Sequence, residues 1–252
     1  MRRASAPTAF AWLIALVSAA LAPSGSARAD DLPRAETVLE DYVKATGGMA
    51  AYEKLRNRTA TGTLEIAGAN VKGTMTFTQA SPSSMVVVTE IGQNLITRGT
   101  DGKTAWTTSP ALGDRLLEGD EKDQFLGEAL FNEEIRWKDR FSKVECTGVE
   151  NVNGKPAYRL VLTPKAGKPI TRYYDRASHL LVKEVETAIG PRGEITAETY
   201  PSDYRKIDGI LFPFKLTQNL DGKSFEITLT EVKHNVTLPA DAFKVPAALE
   251  KP

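Results

Sequence analysis

The stretch that decides the fold is Thr63–Thr78, TLEIAGANVKGTMTFT, in which apolar and polar residues alternate on either side of a turn. The turn falls at Gly68-Ala69-Asn70. The alternating apolar residues are Leu64, Ile66, Val71, Met75 and Phe77. Because successive side chains of a strand point to opposite faces, this stretch predicts a β-hairpin with one wet face and one dry face.

Strand-like segments continue from this hairpin to the end of the chain. Asp101-Gly102, Asn153-Gly154 and Asp221-Gly222 are dipeptides favoured in type I′ turns, whose two central residues both need positive φ. Strands joined by tight turns are neighbours in a sheet, so we expect an up-and-down antiparallel meander and not a βαβ array. The further predicted strands are Met85–Thr89, Asn94–Arg98, Thr104–Thr107, Val144–Asn151, Pro156–Thr163, Thr171–Tyr174, Leu180–Thr187, Glu194–Arg205, Pro213–Leu220 and Ser224–His234.

Two helical segments precede the first strand. Ala35–Thr46 ends at Gly47-Gly48, and Ala50–Leu55 predicts a second, shorter helix. The first segment carries apolar residues at helical spacing, namely Val38, Leu39, Tyr42 and Val43.

A long insertion, Pro110–Trp137, breaks the alternation and is rich in helix formers. Its apolar residues Phe125, Leu126, Ala129 and Leu130 fall on one helical face. Acidic residues such as Asp120, Glu121, Asp123, Glu133 and Glu134 are expected on the wet face of the helix. Insertions of this length are often lids or binding loops, so two interpretations stay open: a helix that closes an open end of the sheet, or a movable lid.

The N-terminus has the pattern of a secretory signal peptide. Arg2 and Arg3 precede the apolar run Phe10–Leu21, which is followed by Ala27-Arg28-Ala29. The run is shorter than the roughly 20 residues that a transmembrane helix needs. We expect a signal peptide over residues 1–29, cleavage before Asp30, and a single β domain over residues 30–252 in the periplasm. No cysteine stands near the junction to carry a lipid anchor.

Composition excludes several classes of function. The 32 basic and 32 acidic residues are scattered along the chain, whereas nucleic-acid binding requires a concentrated basic face. Cys146 is the only cysteine, so no intramolecular disulfide can form, and we expect it to be a small buried side chain on a strand.

No pattern of catalytic or metal-binding residues stands out. His179 and His234 are expected to be solvated histidines in a turn and at a strand end. With one cysteine, no zinc set of the usual spacing can form. The mature chain has no G-x-S-x-G, Walker A or dinucleotide motif, and Gly190–Gly193 predicts a hairpin turn. We therefore predict no enzyme and no cofactor. A hydrolase with dispersed carboxylates stays open, and it would need two acidic residues with raised pKa values in one cleft.

The apolar residues of the strands are more informative. A sheet of this size cannot bury a face against two short helices unless it curls and encloses an interior. Composition leaves a packed core and a ligand cavity equally open, and a one-residue slip in register would exchange the two faces of any strand. The side chains expected to face the interior are Leu64, Ile66, Met75, Phe77, Val86, Val88, Leu160, Leu162, Phe214, Leu216, Ile227 and Leu229.

Several short motifs in this layout resemble one family. They are Tyr42–Gly48 with Tyr52–Leu55, Tyr174-Asp175 followed by Leu180–Val182, and the closing Asp208–Pro213 and Leu238-Pro239. Together with the signal peptide and the helical insertion, they resemble the LolA/LolB-like periplasmic proteins, which include the outer-membrane lipoprotein-sorting proteins. The resemblance covers most of the mature chain.

The resemblance implies a mainly β fold, a curved antiparallel sheet that forms an incomplete β-barrel covered by helices. Members carry lipoprotein acyl chains or other lipids between membranes. The chain would then be a soluble, monomeric periplasmic carrier of a hydrophobic ligand, with inner- or outer-membrane proteins as possible partners and Arg98 as the candidate basic group near the lid. The alternative is an envelope interaction module without a ligand. The lid residues would be Leu116, Leu117, Phe125, Leu126 and Leu130.

Overall fold

The computed structural model describes residues 32–69, 71–190 and 193–250. The expected signal peptide and its cleavage site lie outside these residues. Within them, no helix is long and apolar enough to cross a membrane. The helices are α1 (Ala35–Ala45), α2 (Met49–Tyr52), α3 (Gly119–Glu128) and α4 (Glu133–Arg140), with a short 3-10 turn at Ala247–Leu249. The strands are β1 (Asn57–Ile66), β2 (Val71–Ala80), β3 (Ser84–Ile91), β4 (Asn94–Thr100), β5 (Ala105–Thr108), β6 (Arg115–Leu116), β7 (Phe141–Val152), β8 (Lys155–Pro164), β9 (Ile170–Asp175), β10 (Leu181–Gly190), β11 (Gly193–Ile207), β12 (Ile210–Leu220) and β13 (Lys223–His234).

All thirteen of these strands form one antiparallel sheet, in the order β6-β5-β4-β3-β2-β1-β13-β12-β11-β10-β9-β8-β7. The predicted meander and the mainly β class are confirmed. The first and last strands pair at the centre, so β6 and β7 are the two edges and the sheet does not close into a barrel. The insertion joins these edges through α3 and α4, which lets its helices cover the face between them.

Two of the three predicted type I′ turns form, whereas the predicted turns Gly68–Asn70 and Gly190–Gly193 include residues outside the described ranges. Asn153-Gly154 and Asp221-Gly222 both have two consecutive residues at positive φ. Asp101 does not, because its carboxylate accepts hydrogen bonds from the backbone N–H groups of Lys103 and Thr104 at 2.8 and 2.7 Å. Such a side-chain turn replaces the type I′ geometry expected at Asp101-Gly102.

We call the face of the sheet on which the helices pack the inner face. α1 packs on it through Val38 and Leu39 against Leu160 and Leu162 of β8. Phe125 of α3 packs on it at the other end. Cys146 lies on β7 as expected but is only partly buried at the margin of the α1 cluster, and burial raises the pKa of its thiol.

The register of β2 and β3 corrects one expectation. Val87 stands opposite Phe77, and both pack against the cluster under α3. Since side chains alternate along a strand, Val86 and Val88 point to the outer face. The β2–β3 connection sets this register, which the sequence of β3 alone could not reveal, because Val86, Val87 and Val88 are equally apolar.

A glycine marks a close approach between neighbouring strands on the inner face. A Cβ at Gly73 of β2 would lie 2.3 Å from the carbonyl oxygen of Glu90 in β3. No side chain fits there, so glycine allows the strands to bend together at this point.

Candidate functional site

The expected interior residues divide into two groups. Leu160 and Leu162 are fully covered by α1, and Leu64, Phe214 and Leu229 are buried against neighbouring strands. The other inner-face candidates, Ile66, Met75, Phe77, Leu216 and Ile227, are only half-buried.

Most of the half-buried group, together with the buried Leu64, forms a strip across the centre of the sheet. Register places Leu64 opposite Ile227, and Ile227 opposite Leu216 on the next strand. One pair further along, Ile66 stands between Val71 and Phe225, which are also half-buried. We call the strip the apolar trough; its residues are Leu64, Ile66, Val71, Met75, Leu216, Phe225 and Ile227.

The expected lid residues lie over one side of this face. Leu117 and Phe125 are both 2% exposed and pack with Met85 of β3. The guanidinium carbon of Arg98 stands 4.5 Å from the centre of the Phe125 ring, so the expected basic group does contact this helix.

The remaining lid residues are less buried. Leu126 and Leu130 line an open cavity of about 290 Å³ between α3 and Glu186 of β10. Leu116 is half-buried on β6, where it pairs with Trp106. The insertion therefore begins with a short strand before its helices.

The part of the inner face under α4 is polar, which the sequence did not predict. Glu133 forms ion pairs with Arg140 and, at 2.6 Å, with Arg172; Arg172 also pairs with Glu184 at 2.5 Å. Burial raises the pKa of Glu133, but the charges of Arg172 and Arg140 outweigh it, so the pKa lies below its usual value.

The expectation that Glu133 lies on a wet helix face is therefore wrong. α4 begins after Asn132, whose left-handed backbone (φ 52°) redirects the chain. The first residue of α4 then points at the sheet, where two arginines compensate for its burial.

Two further carboxyl groups lie between α3 and the sheet. Glu128 and Glu186 line a cavity of about 210 Å³ together with Arg98 and Gln218. Burial, with the neighbouring charges of Glu184 and Glu128, raises the pKa of Glu186 to about 8. Burial also raises the pKa of Glu128, against the opposing charge of Arg98. This is the pair of acidic groups that the hydrolase hypothesis requires.

A third cavity, of about 270 Å³, lies between α1, α4 and strands β1, β2 and β9. Arg58 of β1 enters it and is 5% exposed. Its Nε donates to His234 Nε2 at 3.0 Å, and its guanidinium lies over the rings of Phe212 and Phe131, 4.4 and 5.7 Å from their centres. The cavity is lined by residues that include Tyr42, Gln79, Asn132, Arg172 and Tyr174.

His234 is therefore not the solvated histidine expected from its polar neighbours. Because Nε2 accepts from Arg58, Nδ1 carries the proton and donates to Asp208 at 3.0 Å. Burial and the charge of Arg58 lower the pKa of His234. His179 does lie in a turn, with φ 60°.

The described residues contain no group of three or more His, Cys, Asp or Glu side chains that could hold a metal ion.

Solved structures share this fold. A domain described as an outer-membrane lipoprotein-sorting protein from Vibrio parahaemolyticus superposes with a TM-score of 0.57 at 15% identity, covering 83% of this chain and 97% of that chain. A LolA superfamily protein from Nitrosomonas europaea gives a TM-score of 0.56 at 12% identity, over 85% and 99% of the two chains. A DUF1329 family protein from Desulfovibrio piger ATCC 29098 gives 0.55 at 17% identity, over 87% and 100%.

At the level of sequence, no protein-family model matches the chain and no curated protein matches it. The structural likeness extends over nearly the whole of each solved domain, and it agrees with the open sheet and its helical cover. The chain therefore has the fold of the LolA superfamily and of outer-membrane lipoprotein-sorting domains.

Proposed function

We propose that the protein is a periplasmic carrier that binds the acyl chain of a lipid or lipoprotein in the apolar trough. The observation that carries the proposal is the trough itself, a strip of half-buried apolar side chains across the centre of the inner face. These side chains are partly exposed, so an acyl chain bound there would gain about 0.8 kcal/mol for each methylene that it buries.

The fold supports the choice of ligand. A structure of the same fold is described as a lipoprotein-sorting domain, and the helical insertion lies beside the trough as a lid would. The carrier role also requires export. We propose that residues 1–29 are a signal peptide that directs export and is then cleaved. Mass measurement of the protein recovered from the periplasm should give a mature chain that begins at Asp30.

Native mass spectrometry of the mature protein, followed by organic extraction, tests the carrier function. Ile227→Lys places a charge in the trough, and Val88→Lys places the same charge on the outer face of β3. We expect a lipid-sized mass increment in the wild type and in Val88→Lys, and its loss in Ile227→Lys. A wild-type protein that stays free of lipid after incubation with lipids and lipopeptides would refute the proposal and favour an envelope interaction module.

A second candidate, a hydrolase, is favoured only by the Glu128 and Glu186 carboxyl groups with their raised pKa values. It predicts ester or glycoside hydrolysis that disappears in Glu186→Gln. Equal background rates in the wild type and in this variant would exclude a catalytic role for Glu186.

A further inference from the structure

The cavity under α4 contains a buried positive charge that has no anionic partner. Arg58 is 5% exposed, and its Nη2 has no hydrogen-bond partner. Arg140 and Arg172, which line the same cavity, are both ion-paired with glutamates. Among the described residues, no carboxylate lies within ion-pair distance of Arg58.

The groups around Arg58 do not supply a negative charge that would compensate for its burial. His234 accepts from Nε in its neutral form, and Phe212 and Phe131 offer only the faces of their rings. Glu134 acts on Arg58 electrostatically from a distance without forming an ion pair. Buried charges in proteins are normally paired, because an isolated charge in a nonpolar environment is strongly unfavourable.

A buried acceptor in the same cavity is also without a partner. Asn132 is 6% exposed and donates from Nδ2 to the carbonyl oxygen of Tyr52 at 2.9 Å. This bond fixes the orientation of the amide, since a flipped amide would place two oxygens together. Its Oδ1 is left with no donor. An oxyanion would accept from Arg58, and a water molecule bound beside it would donate to Asn132 Oδ1, so the two together would satisfy both groups.

Position relates this cavity to the apolar trough. Arg58, Leu64 and Ile66 share the inner face of β1, and Phe77 of β2 lines the cavity two residues from Met75. Arg58 and Leu64 are six residues apart, which in a strand is roughly 20 Å. The cavity, at about 270 Å³, lies just below the roughly 300–1,000 Å³ of typical small-molecule pockets, so a head group fits it and a long chain must lie elsewhere.

We infer that Arg58 forms an oxyanion site, which binds the carboxylate or phosphate head group of an amphiphile whose chain lies in the apolar trough. The inference rests on the proposed carrier function and adds the chemical class of the ligand. Charge-assisted hydrogen bonds from a desolvated guanidinium are about twice as strong as neutral ones, so this site discriminates between anionic and neutral amphiphiles.

Calorimetric titration of the mature protein with three probes tests the site. Dodecanoate has the chain and the anion, dodecanol has the chain alone, and inorganic phosphate has the anion alone. We expect dodecanoate to bind at least about tenfold more tightly than dodecanol. Arg58→Gln should remove this preference, and Arg159→Gln, which changes an arginine of β8 outside the cavity, should keep it.

Gln79→Glu is a second variant in case Arg58→Gln does not fold. Gln79 stands directly opposite Arg58 on β2 and lines the same cavity, so the new carboxylate would supply the missing partner from within the chain. We expect this variant to fold and to lose the preference for dodecanoate. If this variant retained the full preference for dodecanoate over dodecanol, Arg58 would not be the group that binds the anion.

The probes separate the site from the carrier function. Equal binding of dodecanoate and dodecanol, unchanged in Arg58→Gln, would overturn the oxyanion site and leave the carrier function standing. Binding of phosphate that depends on Arg58, with no binding of either amphiphile, would support a site for a free anion and contradict the carrier. No binding of any probe would contradict both, because the cavity would then hold only water.

Discussion

The two parts of the inner face differ in how their side chains are covered and paired. The apolar trough leaves Ile66, Met75 and Ile227 half-buried and in need of a nonpolar cover. The region under α4 is deeply buried, and it is held by ion pairs from Glu133 to Arg140 and Arg172. The first region can gain free energy from a ligand, whereas most of the second is already satisfied internally. Arg58 lies where the two regions meet. Unlike Arg140 and Arg172, it has no ion-pair partner among the described residues.

The largest expected effect is on the ion-pair network. Arg172→Met should lower the free energy of unfolding by about 3–5 kcal/mol, because it leaves Glu184 without its ion-pair partner and removes one of the two arginines that pair with Glu133. Urea denaturation followed by circular dichroism would measure it. Lys72→Met, which breaks the exposed pair with Glu65, should cost less than about 1 kcal/mol and is the control. Equal losses in the two variants would mean that the network is not structural.

The next effect concerns the lid. Phe125→Ala should lower the free energy of unfolding by about 3 kcal/mol, because it removes a ring packed against Met85 and Leu117. Leu112→Ala, which changes a side chain 63% exposed in the same insertion, should have little effect. Thermal melts of both variants would compare them. If Phe125→Ala cost no stability, the α3 face would be loosely attached and the lid would open freely.

A smaller effect on stability is expected from the titration of Glu186. Its pKa of about 8 lies above the usual 4.5, so the folded state holds a proton that the unfolded state releases. The stabilising contribution is complete below pH 4.5 and is lost as the pH rises to about 8. Glu186→Gln should therefore be more stable than the wild type at pH 9, by a few kcal/mol, and close to it at pH 4.5. A difference that does not change with pH would contradict this assignment.

The smallest expected effect is the pH dependence of stability that arises from His234. Its pKa is lowered below 6.5, so the unfolded state binds a proton that the folded state excludes. Stability from this group is complete above pH 6.5 and falls as the pH drops below that value. In a background of Glu186→Gln, we expect melting temperatures to fall by a few degrees between pH 7 and pH 5. His234→Gln should weaken that dependence; an unchanged pH profile would show that His234 is not its source.

Much of the sheet could be predicted from the sequence, because alternation and turn residues are local signals. The hairpin Thr63–Thr78 and the later strands form as expected, and α1 and α2 begin close to the predicted residues. The pairing of β1 with β13 could not be predicted from such signals, since it joins strands that are far apart in the chain.

The trough was partly predictable and the polar region was not. Leu64, Ile66 and Ile227 stand on the expected face, whereas Val86 and Val88 do not, because three consecutive valines carry no signal for a face. Glu133 and Arg172 are separated by many residues, and nothing local shows that they meet. Whether the expected residues bind a ligand stays a prediction.

Photo-crosslinking with dodecanoate that carries a diazirine at its chain end tests the central proposal most directly. Mass spectrometry of the digested protein would locate the crosslinked residues. The proposal predicts crosslinks on the inner face of β1 and β2, at trough residues near the cavity such as Met75 and Leu64, and competition by unlabelled dodecanoate. Crosslinks confined to the outer face near Val86 and Val88, or labelling that unlabelled dodecanoate does not reduce, would contradict it.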